Sequence, residues 1–203
     1  MVELPPLPAG QQPVLRSVLR LAQTCEFEVN HTFQVTYLAA RLFEDLLPLH
    51  DLGETQRAWL IYAGILHDIG WIEGWKEHHK VSLRIILTTP MLTFTNKERL
   101  IIGSIARYHR KSLPDAAHDH FAALTAAERA QVVILAGFLR LADALDHSHQ
   151  QRVRDLSCKI THKKILITCV LTATASEVAD AVRLKSDLLE QTFERKVIFT
   201  GLV

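Results

Sequence analysis

The 203 residues carry 23 lysines and arginines against 22 aspartates and glutamates, a net charge of +1, and 48% of them are hydrophobic. That balance argues against a general nucleic-acid binder or a membrane-surface protein, and it leaves ample apolar material for one large domain. The three cysteines (Cys25, Cys158 and Cys169) form no CxxC pair, which fits buried or free thiols in a reducing compartment. With no signal-like start and no membrane-length apolar run, the expectation is a cytoplasmic, soluble chain.

A proline-rich leader occupies 1–12. Apolar spacing at Val14, Val18 and Leu21 predicts a first helix to about residue 25. A second is expected over 27–47, ended by Pro48, and a third over 54–68. The segment "EHHKVSLRIIL" reads as a fourth, closed by Pro90. Thr95 with Glu98, and Thr125 with Glu128, match capping boxes that open two more helices, the second reaching about residue 147. A polar loop, "KSLPDAAHDHFAAL", lies between them.

From 151 the pattern changes. "VRDLSCKITHKKILITCVLT" alternates and breaks at 162–164, as a hairpin does. An amphipathic helix over 176–195 then leads into a third strand, "KVIFTGLV". The expected fold is mainly α: a helical body over 13–150 with a small α+β tail over 151–203 packed on it. The tail's edge strand makes a homodimer conceivable.

The third helix ends in "GILHDIGW", which sets His67 and Asp68 where the helix is most apolar. Burying a carboxylate costs several kcal/mol unless it is paired or bound to a metal, roughly speaking. Other helices offer partners: His31 beside Val35 and Leu38, His78 and His79 at the start of the fourth helix, His109 after Ile105, and Asp143 below Leu139. His31, His67, Asp68 and Asp143 would hold one ion; adding His78 and His109 provides for a second, with Asp68 bridging. Mixed nitrogen and oxygen ligands suit manganese, iron, zinc, nickel or cobalt, with magnesium a further possibility. Asp146 could support the site or pair with Arg152. Lys80, Arg107, Arg110 and Lys111 lie beside the candidate ligands and would bind substrate phosphate.

The order His31, His67-Asp68, Asp143 resembles the H…HD…D pattern of the HD superfamily of metal-dependent phosphohydrolases. The segments "EHHKVS", "ARYHRKSLP", "RLADALDHSHQQRV" and "LLEQTFERKVIF" are more closely similar to the C-terminal HD-type domain of exopolyphosphatase/guanosine pentaphosphate phosphatase proteins. That resemblance implies an HD helical bundle whose first metal site is His31, His67, Asp68 and Asp143. His78 and His109 complete a second site, with His79 a substitute for His78. It implies hydrolysis of a nucleotide or other small phosphate ester or anhydride by metal-activated hydroxide, with Asp68 and His67 at the reacting centre. Exopolyphosphatase activity is not carried over, because it belongs to actin-like domains whose phosphate-binding loops are absent from these residues. Trp71 stands where many HD enzymes have a lysine. Two rival functions remain: a non-catalytic regulatory domain that binds a phosphorylated ligand such as a guanosine alarmone, and a module that binds a protein partner.

Overall fold

A computed structural model describes residues 2–173 and 176–202. Helix α1 (Gln12–Thr24) carries Pro13 in its first turn, where no intrahelical donor is lost. Helices α2 (Val29–Asp45), α3 (Leu47–His50) and α4 (Glu54–Leu66) follow. After α4 the chain makes a 3-10 turn, Ile69–Glu73, then α5 (His78–Thr88) and α6 (Asn96–Arg107). The one-turn α7 (Asp119–Ala122) precedes the long α8 (Ala126–Leu145). Both expected capping boxes are present. Thr95 Oγ1 accepts the Glu98 N–H at 3.2 Å while Glu98 accepts the Thr95 N–H at 2.8 Å. Thr125 and Glu128 repeat the exchange at 3.3 and 2.9 Å.

Every residue of α8 from Leu135 to Leu145 is buried, as suits a helix at the centre of a bundle. Helices α2, α4 and α6 pack on it, and α5 packs on α6. The tail comprises β1 (Val153–Ile160), β2 (Lys164–Leu171), α9 (Ser176–Lys185), α10 (Asp187–Phe193) and β3 (Lys196–Leu202). The sheet order is β1-β2-β3, with β1 antiparallel to β2 and β3 parallel to it. A parallel pair needs a crossover, and α9 with α10 supplies it. Strand β1 lies on α2, and α9 and α10 lie on α8. Apolar residues of the tail, among them Val153, Ile167, Val182 and Leu189, join the same core as the bundle.

Three sequence expectations change. Pro48 does not simply end the second helix; it sits in the first turn of α3, a place proline tolerates. The final helix is two helices that meet at Ser186, and the polar loop after Lys111 contains α7. All three cysteines are unpaired. Among the described residues no helix is long and apolar enough to cross a membrane.

His50 closes the α2–α3 corner. Its Nε2 donates to the Phe43 carbonyl at 2.9 Å, and its Nδ1 accepts the Leu52 N–H at 3.0 Å. Burial pushes its pKa below the usual 6.5. The folded state therefore resists protonation, and stability from this group is present above pH ~6.5 and lost as pH falls below it. Denaturant titrations from pH 7 to pH 5 should show falling stability, with a shallower slope in His50→Gln; an unchanged slope would exclude His50 as a contributor.

Candidate metal and phosphate site

The candidate ligands meet at one end of the bundle. Helices α2 and α5 begin there, bringing His31 and His78, and α4, α6 and α8 end there, bringing His67, His109 and Asp143.

Each imidazole is oriented by a bond from Nδ1. His67 bonds the Gly64 carbonyl at 2.7 Å, His109 the Ala106 carbonyl at 2.6 Å, and His78 the Trp75 carbonyl at 2.9 Å. These are all carbonyls three residues earlier, so the local backbone selects the tautomer. His31 Nδ1 bonds Asp146 Oδ2 at 2.9 Å. A carbonyl accepts only from N–H, so in His67, His109 and His78 Nδ1 carries the proton and Nε2 is left with a lone pair.

Those four Nε2 atoms surround Asp68. Its Oδ2 lies 3.8 Å from His31 and 3.5 Å from His67, and its Oδ1 lies 3.0 Å from His78 and 3.5 Å from His109. Asp143 Oδ1 is 3.6 Å from His31 Nε2. Two groups result, His31–His67–Asp143 and Asp68–His78–His109, each with ligand atoms within 4.8 Å of one another. His31 Nε2, His67 Nε2 and Asp68 Oδ1 are buried without a hydrogen-bond partner. Orphaned lone pairs gathered around carboxylates are unfavourable unless a cation lies among them, so the donor set fits a divalent metal.

The electrostatics agree. Burial, with less influence from the neighbours, keeps His67 below its ordinary pKa and His109 well below it, so both are neutral at pH 7. Burial works against ionised Asp68 and Asp143. At Asp143, Lys185 together with His31 outweighs it and holds the carboxyl well below the usual range. Burial also opposes a charged His31, yet Asp143, Asp146 and Asp68 raise it to about 10. Without a metal the site thus draws in a positive charge.

A cavity of about 440 Å³ opens onto this cluster, lined by Asp68, Trp71, His78, His109, Arg110, Lys111, Asp143, His147, His149 and Lys185. Of the four expected phosphate contacts, Arg110 and Lys111 line it; Arg110 Nη1 lies 3.2 Å from His78 Nε2. Lys80 does not line it: its ammonium pairs with Glu77 on the exposed start of α5. Arg107 also lies outside, buried with its guanidinium 5.8 Å from the Tyr108 ring centroid. His79 is buried, with its ring 6.3 Å from that of His109, and belongs to neither ligand group.

Two contributors escaped the sequence reading. His149 stacks on His31 at 3.7 Å with planes 3° apart; it sits in the loop after α8, where no periodicity marks it. Lys185, at the end of α9, pairs with Asp143. Its spacing from Asp143 carries no signal, and only the tail's packing on α8 brings it there.

A helical bundle carries two His/Asp groups that could each hold a metal ion, His31–His67–Asp143 and Asp68–His78–His109, beside a cavity that Arg110, Lys111 and Lys185 help to line. Residues 15–192 match the family described as Ppx/GppA phosphatase, domain III, and the chain belongs to that family. It is also similar to a guanosine-5'-triphosphate,3'-diphosphate pyrophosphatase of Pseudoalteromonas atlantica, at 32% identity over 87 residues. That match covers 42% of this chain and 17% of the relative's length.

Proposed function

We propose that this chain is an HD-type, divalent-metal-dependent phosphohydrolase acting on a nucleotide or another small phosphate ester or anhydride. The observation that carries the reading is the convergence of four imidazole Nε2 atoms, each with Nδ1 tied to an acceptor, on the partly buried Asp68. A divalent ion held there would lower the pKa of water and neutralise charge on the phosphoryl group. His31, His67 and Asp143 would hold one ion, and His78 and His109 a second, with Asp68 shared. Asp68 can also take up a proton from the attacking water. Arg110, Lys111 and Lys185 would bind phosphate oxygens from the cavity wall. The relative is a pyrophosphatase of guanosine-5'-triphosphate,3'-diphosphate, so guanosine polyphosphates are among the first substrates to try.

The pairing of Lys185 with Asp143 favours a second reading, because an ammonium already satisfies that carboxylate. In that reading the cavity binds a phosphorylated ligand, such as a guanosine alarmone, without turnover. Metal analysis of the purified chain, then phosphate release from nucleotides, guanosine polyphosphates and tripolyphosphate with manganese, separates the two. Bound metal with turnover is expected. Bound metal without turnover selects the regulatory reading, and failure to take up metal at millimolar concentration overturns both metal sites.

A further inference from the structure

Among the described residues three arginines are buried: Arg57, Arg107 and Arg140. Two of them have carboxylate partners. Arg57 Nη2 donates to Glu44 at 2.8 Å, and its Nη1 donates to the Pro6 carbonyl, also at 2.8 Å. Arg140 grips both oxygens of Asp187, at 2.9 and 3.1 Å. Arg107 differs. It stands in the last turn of α6, is 5% exposed, and makes no side-chain hydrogen bond or ion pair among the described residues. Its Nη1 is buried without a partner.

The surroundings of Arg107 offer more donors. Its guanidinium carbon lies 5.8 Å from the Tyr108 ring centroid, and the His120 ring lies 5.5 Å from that same ring. His120 Nε2 is buried without a partner, and so is Nδ1 of His79 in the first turn of α5. Arg107 is the neighbouring charge that acts most strongly on His79; on His120 it comes second, after His118. Burial, with these charges, takes the pKa of His79 down to about 3 and that of His120 to about 4. Both rings are therefore neutral, and each can donate one N–H. Glu77 acts on Arg107 from beyond ion-pair distance, and its carboxylate holds Lys80.

An enclosed guanidinium without a counter-charge is strongly unfavourable. Water would satisfy its N–H groups but would not balance the charge. We propose that Arg107, His79 and His120 hold a small inorganic anion in a site separate from the phosphate cavity, whose lining includes none of the three. One positive charge and two neutral N–H groups match a monovalent anion such as chloride. A phosphate dianion would leave surplus negative charge in the interior. The three donors come from α6, α5 and α7, so the anion bridges three helices. It sits behind the candidate metal ligands, since His79 follows His78 and Arg107 precedes His109 by two residues. The site does not depend on whether the larger cavity hydrolyses phosphate.

The test exchanges sodium gluconate for sodium chloride at constant ionic strength and follows the thermal midpoint of the full chain. The midpoint should rise and saturate, by about 5–10 °C at a hundred times Kd. Arg107→Met should abolish that rise. In gluconate the same variant should melt no lower than the unaltered chain, because an unpaired buried charge has been removed. Arg110→Ala combined with Lys111→Ala should keep the rise, which separates this site from the phosphate cavity. Crystals of the unaltered chain grown in bromide give a reading that needs no variant: anomalous density should lie within hydrogen-bond reach of Arg107 Nη1. Three results overturn the site: a midpoint indifferent to chloride, a rise that survives Arg107→Met or is lost with Arg110 and Lys111, and bromide found only beside those two residues. Ordered water would then be the partner of the three donors.

Discussion

In an Asp68→Asn variant, phosphate release should fall on the order of 10³-fold, the scale of several kcal/mol of lost transition-state stabilisation. Metal should be lost from both clusters together. Asp68 is the carboxylate that faces all four Nε2 atoms, one oxygen to each pair, so removing its charge weakens both clusters at once. The effect on the metal-free chain has a telling sign. If the cluster exists to hold a metal, Asp68→Asn leaves the metal-free protein as stable or more so, because the charged His31 keeps Asp143 and Asp146 as partners and an amide N–H can donate to an imidazole lone pair that lacks one. If the cluster is instead an ion-paired core of protonated imidazoles, the same change strands a buried charge and costs about 3–5 kcal/mol. Denaturation with chelator present distinguishes the two, and a large loss there would reject the metal reading. With metal at about a hundred times its Kd, the unaltered chain should gain roughly 2.7 kcal/mol and the variant little.

The legible parts of this chain were those whose signal is local. Capping boxes at Thr95 and Thr125 depend on residues three apart, and both appear as expected. His31, His67, His78, His109 and Asp143 lie on or beside apolar helical stripes, so their position against the core could be read from periodicity. What could not be read depends on how distant pieces pack. The last helix divides at Ser186 although no proline or glycine stands there. The turn lets Lys185 reach Asp143 while Asp187 accepts from Arg140 Nε at 2.9 Å, two grips on α8 from adjoining helices. Lys80 looked equivalent to Arg110 and Lys111 in sequence. Helix geometry aims it away, and Glu77, itself left-handed at φ 60°, takes its ammonium.

A second large effect is expected at Gly70, which follows Ile69 in the turn between α4 and α5. A Cβ there would lie 2.1 Å from the His78 carbonyl oxygen and 2.7 Å from the Ser82 nitrogen. Both are backbone atoms at the start of α5, so no side-chain rotation makes room. The same contact is clamped by hydrogen bonds: the Gly70 N–H donates to Ser82 Oγ at 2.9 Å, and Ser82 Oγ donates to the His67 carbonyl at 2.7 Å. Gly70→Ala must push the turn off α5 and break this relay. Overpacking costs about 1–3 kcal/mol where side chains can yield, so a loss of about 3 kcal/mol or more is expected here. That corresponds to roughly 6–12 °C in thermal midpoint for a chain of this size. Gly103→Ala is the control, since its Cβ would press only on the tip of the Leu83 side chain, at 2.8 Å, and would sit at an ordinary 3.5 Å from Ile86 Cγ2. Alanine's helix preference of about 0.5–1 kcal/mol should offset much of that contact. The same shift at Gly70 separates Asp68 from His78, now 3.0 Å apart. Metal should therefore weaken first at the cluster containing His78 and His109, and less at His31, His67 and Asp143. Equal stability loss in the two glycine variants, or uniform weakening of both metal clusters, would show that this contact does not set the position of α5 against the turn.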